Sequence, residues 1–170
     1  RQDWCGPLFT KNHCNTLSQT HIFTNHRRAA DISLILNSDN ARNQFGIEGT
    51  TVHDCSYPEG GGMHGGLHEQ EVRTWLAIQG AGIRSAYRSP IPAANVDILP
   101  TVLHLLGIEI PPHIQGRLLT EALDAFSTNE LPECVEELHT ASGIAGYRSH
   151  IILDRLDKHR YLRRAWREKT

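Results

Sequence analysis

Half of the glycines in this chain fall between residues 46 and 66: Gly46, Gly49, Gly60, Gly61, Gly62, Gly65 and Gly66, of 14 in all. Glycine takes positive φ without steric cost and lets backbone pass close to other groups, but it costs about 1 kcal/mol relative to alanine inside a helix. The segment from Asn37 to Gly66 is therefore predicted to be a long loop, and ordered loops of that length are more often functional than decorative. The core must come from short elements on either side. At 170 residues the chain is long enough for one domain and too short for two, so residues 1–170 are expected to form a single domain or part of one. No apolar run approaches the roughly 18 residues of a membrane-spanning helix. The formal charge of −2 argues against binding nucleic acid over the whole surface.

Cys5, Cys14, Cys55 and Cys134 show no CxxC or zinc-finger spacing, and four in 170 residues are too sparse for a disulfide scaffold. Cys5 and Cys14 are spaced to allow a local bridge or to remain two buried thiols, so the compartment is left unassigned. The chain starts at Arg1 without the features of a signal peptide, which suggests part of a longer chain or a processed product.

Residues 1–28 have poor periodicity and are expected to be loop, with short strands around Leu8 to Thr10 and Ile22 to Thr24. Ala30 to Asn37 suits a strand. Leu67 to Gln79 is predicted to be helical: Leu67, Glu71 and Trp75 repeat at four, Val72, Leu76 and Ala77 fill an adjacent face, and Gly80 stops it. Ala81 to Tyr87 is a strand candidate. Asn95 is a plausible N-cap for a helix over Val96 to Leu106, which carries a broad apolar stripe, contains Pro100 early and ends at Gly107. Arg117 to Ala125 is predicted to be a short amphipathic helix, and residues 127 to 141 a polar linker with a helical turn at Glu133 to Leu138. Tyr147 to Leu153 and Tyr161 to Trp166 alternate about the bend at Asp157 to His159, so a C-terminal β-hairpin is the first choice and a helix the second. Short strands alternating with helices indicate an α/β fold.

The sharpest local feature is Gly60-Gly61-Gly62-Met63-His64-Gly65-Gly66, just before the predicted helix. An imidazole set among glycines can be approached by a metal ion or an anion without side-chain obstruction; a solvated histidine in a turn is the plain alternative. His64 and His68 are four apart but lack the glutamate of HExxH, so His68 is either a second metal donor or a first-turn surface residue. His53 and Asp54 are a further pair in the same loop, either metal contacts or solvated residues. GxSxG, P-loop and GxGxxG motifs are absent. The basic tail from Arg155 to Lys169 is interleaved with Asp154, Asp157 and Glu168 and is expected to be a solvated face rather than a nucleic-acid site.

Several segments, in order, resemble a known family: Trp4-Cys5-Gly6-Pro7-Leu8-Phe9-Thr10, Ala30-Asp31-Ile32, Gly46-Ile47-Glu48-Gly49-Thr50, Met63-His64-Gly65-Gly66-Leu67, Val96-Asp97-Ile98-Leu99-Pro100-Thr101-Val102-Leu103 with Leu106-Gly107-Ile108, and Gln115-Gly116-Arg117-Leu118-Leu119. Together they resemble the C-terminal part of the alkaline-phosphatase superfamily, in its type I phosphodiesterase/nucleotide pyrophosphatase-like branch. The resemblance is strongest from Ala30 to Leu123. It implies the C-terminal part of an α/β/α sandwich that holds two metal ions, usually zinc, which stabilise the attacking and leaving oxygens at a phosphate ester. His64 matches the family's late metal-ligating histidine. Asp97 and Thr101 match a structural helix and are kept out of the site.

The family's nucleophile and its other metal ligands have no counterpart in this chain, and Ser38-Asp39-Asn40 lacks the histidine of the similar Ser-Asp-His. A catalytic zinc normally takes three protein ligands. The resemblance thus implies part of a metal-dependent phosphoric ester hydrolase that is inactive alone, with no catalytic residue and no phosphate-binding residue assigned. Its partners would be a phosphate-ester substrate and the missing N-terminal half, with self-association through surfaces that half would cover. The rival reading is a noncatalytic remnant or interaction module that keeps the fold. A private metal site of His53, Asp54, His64 and His68 is a third.

Overall fold

The computed structural model describes residues 4–11, 17–20, 26–52, 56, 58, 64–127, 131–143 and 146–169. It is a mixed α/β chain of small sheets and few helices. None of the helices among the described residues is long and apolar enough to cross a membrane. The chain divides into two compact units, one of residues 1–74, 137–153 and 162–170, the other of 75–136 and 154–161.

In the first unit, β1 (Cys5–Thr10) pairs antiparallel with β2 (Ile32–Leu36), Cys5 opposite Leu36 and Thr10 opposite Ile32. The register slips between Cys5 and Leu8, and Gly6 sits at that slip: a Cβ there would come within 2.6 Å of the Ile35 carbonyl oxygen. β2 was expected from its apolar run, β1 only as a short strand around Leu8 to Thr10 within a loop, and Ile22 to Thr24 lies outside the described residues. The predicted loop after Asn37 instead opens with a hairpin, β3 (Ser38–Arg42) and β4 (Glu48–Thr51), with Ser38 opposite Thr51. Its turn is organised by the Asn43 side chain, which accepts from the backbone N–H groups of Phe45 (3.0 Å) and Ile47 (3.1 Å). Polar strands such as Ser-Asp-Asn-Ala-Arg carry no apolar period, so their pairing is invisible to a pattern search.

The helix expected over Leu67 to Gln79 is a single turn, α1 (Glu69–Val72), which ends at Arg73 in extended backbone. Most helical stability comes from burying an amphipathic face. Leu67 packs against the core, but beyond Val72 the face lies open among the described residues: Trp75 is 87% exposed, and Leu76 and Ile78 are exposed with it.

The linker expected over 127 to 141 is also corrected, because its second half is β5 (Val135–Ser142), with Val135, Glu137, His139 and Ala141 half-buried on one face. It joins β6 (Tyr147–Leu156) and β7 (His159–Lys169) in a three-stranded sheet of order β5-β6-β7. The predicted C-terminal hairpin is therefore present, with Asp157 at positive φ in its turn. Central β6 is buried almost continuously from His150 to Leu156. Phe9, Ile151, Leu153 and Ala165 form the core of the first unit, with Ile35, Leu67 and Leu162 against it. The backbone N–H of Ala165 donates to the Leu67 carbonyl at 2.7 Å, which ties the chain entering α1 to β7. His150 stacks on Trp166 with ring centroids 4.8 Å apart and lies 3.0 Å from the Thr140 hydroxyl.

The second unit is organised by α2 (Ile98–Leu105), preceded by a 3-10 turn at Asn95–Asp97. Asp97, not Asn95, holds the N-cap position of α2; it makes no side-chain cap bond there, and its carboxylate reaches back to accept from the Ala94 N–H at 2.8 Å. Pro100 sits in the first turn, where its missing N–H breaks no helical bond, and Gly107 ends the helix at φ +68°. The predicted strand at Ala81 to Tyr87 is reduced to one bridge, Ile83 opposite Leu123.

The helix expected over Arg117 to Ala125 is only a 3-10 turn at Thr120–Ala122. The backbone leaves helical geometry at Leu119 (ψ 67°) and Leu123 (ψ 142°), and the segment is held instead by the Arg117 N–H to the Asp97 carboxylate (2.8 Å) and the Leu119 N–H to the Thr101 hydroxyl (3.1 Å).

Candidate functional site

His64 lines a cavity of about 150 Å³ in the first unit. Its other walls are Leu34, Ile35 and Leu36 of β2, Thr51 and Val52 at the end of β4, Gly65, Gly66 and, from α1, Glu71. The imidazole is exposed. A β-strand wall of aliphatic side chains thus meets a polar end built from one imidazole and one carboxylate.

The glycines beside His64 serve two different ends. Gly65 has φ +95°, a left-handed conformation that L side chains rarely adopt. At Gly66 a Cβ would meet the Glu71 carboxylate, so a side chain there would push the end of Glu71 aside. That carboxylate also accepts from the Ser38 hydroxyl (3.2 Å), which in turn lies 3.2 Å from the Thr51 hydroxyl.

His68 stands elsewhere. It is buried, 7% exposed, and caps α1: its Nδ1 accepts from the Gln70 N–H at 3.3 Å. It does not line the cavity with His64, and the expected surface position in a first helical turn is corrected to a buried cap. Asp39, on β3, has its carboxyl held below the usual range, first by the Thr50 hydroxyl (2.6 Å) and then by the Ala41 N–H (2.8 Å). His53 and Asp54 lie outside the described residues, as does Cys14, which was expected either to bridge to Cys5 or to remain a buried thiol. Among the described residues, no group of three or more His, Cys, Asp or Glu side chains is arranged to hold a metal ion. His64 offers one imidazole donor and Glu71 one carboxylate in the same cavity, fewer than the three protein ligands of a catalytic zinc.

The second unit holds a different cluster. Asp97 is fully buried and its carboxylate accepts three bonds: from the Arg117 N–H at Oδ1 (2.8 Å), and from the Ala94 N–H (2.8 Å) and the Tyr161 hydroxyl (3.0 Å) at Oδ2. Arg117 donates through Nε to Tyr161 (2.9 Å), through Nη1 and Nη2 to both Glu121 oxygens (2.8 and 2.6 Å), and to the Pro92 carbonyl (2.9 Å). Burial alone would lower the Arg117 pKa, but the paired Glu121 and Tyr161 outweigh it and the net shift is upward. Tyr161 is pushed up as well, by burial first, and Asp97 adds to this against the opposing pull of Arg117. The polar groups of this cluster are buried and bonded to one another, so it holds structure.

Sequence reasoning found His64 from its glycine setting but treated Glu71 only as a helix-face residue. The available signal was an acidic side chain on an otherwise apolar face, four residues after Leu67.

No family model matches the chain, and no solved structure matches it. Over 64 residues the chain is 36% identical to arylsulfatase K of Mus musculus, a sulfatase of the alkaline-phosphatase superfamily. That match covers 38% of this chain and spans only 12% of the length of the relative. The comparisons thus connect part of the chain, at a distance, with a hydrolase of that superfamily.

Proposed function

We propose that this chain is the C-terminal portion of a metal-dependent phosphoric ester hydrolase of the phosphodiesterase/nucleotide pyrophosphatase-like kind, built on an alkaline-phosphatase-like α/β/α sandwich. In this reading His64 contributes a neutral imidazole to a zinc site completed by residues outside the chain. The observation that carries it is the placement of His64: exposed, set before two glycines, and opening on a cavity of about 150 Å³. A second observation supports incompleteness. Ile98, Leu99, Val102, Leu105 and Leu106 on and after α2 are all at least 39% exposed, an apolar surface of the kind a missing half would cover.

The test is turnover of p-nitrophenyl phosphate diesters and monoesters, and of p-nitrophenyl sulfate, by the complete polypeptide that carries this chain. Zinc-dependent diester turnover that is lost in His64→Ala is the expected result. Near-normal turnover by that variant would refute the role of His64. Turnover confined to the sulfate ester would move the protein to the sulfatase side of the superfamily, and no turnover of any ester would favour a noncatalytic remnant. The 170-residue chain alone is expected to give none, with or without zinc.

A further inference from the structure

We propose that Glu71 is a positioning residue whose carboxylate, held by the Ser38 hydroxyl and lying where a side chain on Gly66 would be, fixes the His64–Gly66 segment. Three segments meet at this one carboxylate. Glu71 comes from α1, Ser38 from the start of β3, and Gly66 from the chain two residues after His64. The Ser38 hydroxyl is itself braced by Thr51 at the end of β4, and a Cβ on Gly49 of β4 would press on the Gln70 side chain at 3.1 Å, so β4 lies directly against α1.

The carboxylate occupies the space that a side chain at position 66 would need. An acceptor set against a backbone Cα is a weak contact by itself. The bond from the Ser38 hydroxyl aims it. The pair Gly66 and Glu71 is then one device, with the glycine making room for the acid and the acid holding the glycine.

The functional consequence rests on the reading of His64 as a metal ligand; the anchoring does not. Groups that orient a metal ligand are worth about 10–100-fold in metal affinity or activity when removed. Glu71→Ala in the complete enzyme is accordingly expected to lower turnover by about that factor, and Glu71→Gln, which keeps the length and an acceptor for Ser38, to restore most of it.

The deciding measurement follows the His64 imidazole Cε1–H resonance by NMR in the full chain without metal, assigned through His64→Ala, with the Trp166 indole N–H as a marker of the fold. Glu71→Ala is expected to shift and broaden the His64 signal while Trp166 stays in place, and Glu71→Gln to stay near the wild type. Gly66→Ala should reproduce the Glu71→Ala change, and the double variant should move no further, because both remove one contact. Ser38→Ala should give a smaller displacement in the same direction, and it carries the test if Glu71→Ala loses the Trp166 marker.

A His64 signal unmoved by Glu71→Ala or, in that event, by Ser38→Ala overturns the proposal, as do additive changes in the double variant. Zinc added to the wild-type complete enzyme separates the two ideas. If His64 is indifferent to zinc, the ligand reading fails, while the metal-free spectra still decide the anchor.

Discussion

Asp97 and His64 sit in comparably conspicuous sequence strings, yet their surroundings are opposite. Asp97 is 0% exposed and its carboxylate is engaged by two backbone N–H groups and a phenol, with Arg117 and Glu121 closing the cluster. His64 is exposed, flanked by a left-handed glycine, and lines open space. A buried charge is tolerated only when its partners are complete, and complete partners leave nothing with which to meet a ligand. An exposed imidazole costs little to keep, and its lone pair stays available. The difference teaches that a recognisable motif marks either a structural knot or a site, and that burial with full partnering separates the two.

Breaking the knot should have the largest effect. Arg117→Ala would strand the carboxylate of Glu121, which is 2% exposed, and is expected to destabilise the protein by about 3–5 kcal/mol in urea unfolding. Replacing both partners, as Arg117→Met with Glu121→Leu, should recover much of that loss, because two apolar side chains leave no orphaned charge. If the double variant is no better than the single, the Arg117 contacts to Tyr161 and Pro92 matter more than the ion pair.

Asp97→Asn comes next, at about 2 kcal/mol, since the amide cannot accept from all three donors at once. Tyr161→Phe removes one hydroxyl shared by Arg117 and Asp97 and is expected to cost about 1–2 kcal/mol. Tyr161 also predicts a pH dependence. Its folded pKa is raised above the ordinary 10.0, so the native state keeps the proton longer than the unfolded state does. Its stabilising contribution is whole below pH 10 and is lost as the pH climbs toward the folded value. The alkaline decline in stability should therefore be shallower in Tyr161→Phe. An equal slope in both proteins would place the decline on other groups.

His64→Ala should have the smallest effect on stability, within about 0.5 kcal/mol of the wild type, as for surface positions without structural duties. A larger loss would make His64 a structural residue and blur its contrast with Asp97.

Elements whose partners lie close by in sequence were legible. The C-terminal hairpin follows from alternation about Asp157 and Lys158, β2 from its apolar run, and α2 from an amphipathic stripe stopped by Gly107. Two predicted helices were lost for different reasons. After Val72 the apolar face lies open among the described residues, and at Arg117 to Leu119 bonds to Asp97 and Thr101, distant in sequence, fix a backbone path that leaves helical geometry at Leu119. β5 was hidden by acidic composition, although its half-buried positions alternate regularly. At the site, His64 was visible from its glycines, whereas Glu71 was not, because its two partners stand 33 residues before it and five residues before it without any shared pattern.

The sequence by itself determined where the chain can turn, which short runs favour strand or helix, and that His64 stands in open backbone. Those properties arise from single residues and their near neighbours, through allowed φ and side-chain period. Only the tertiary structure decided that Asp97 meets Tyr161 across 64 positions, that His68 is buried as a cap, and that the Glu71 carboxylate fills the space left by Gly66. The reason is physical: a buried polar group must find its partner wherever the fold brings one, and no local rule fixes which distant residue that will be.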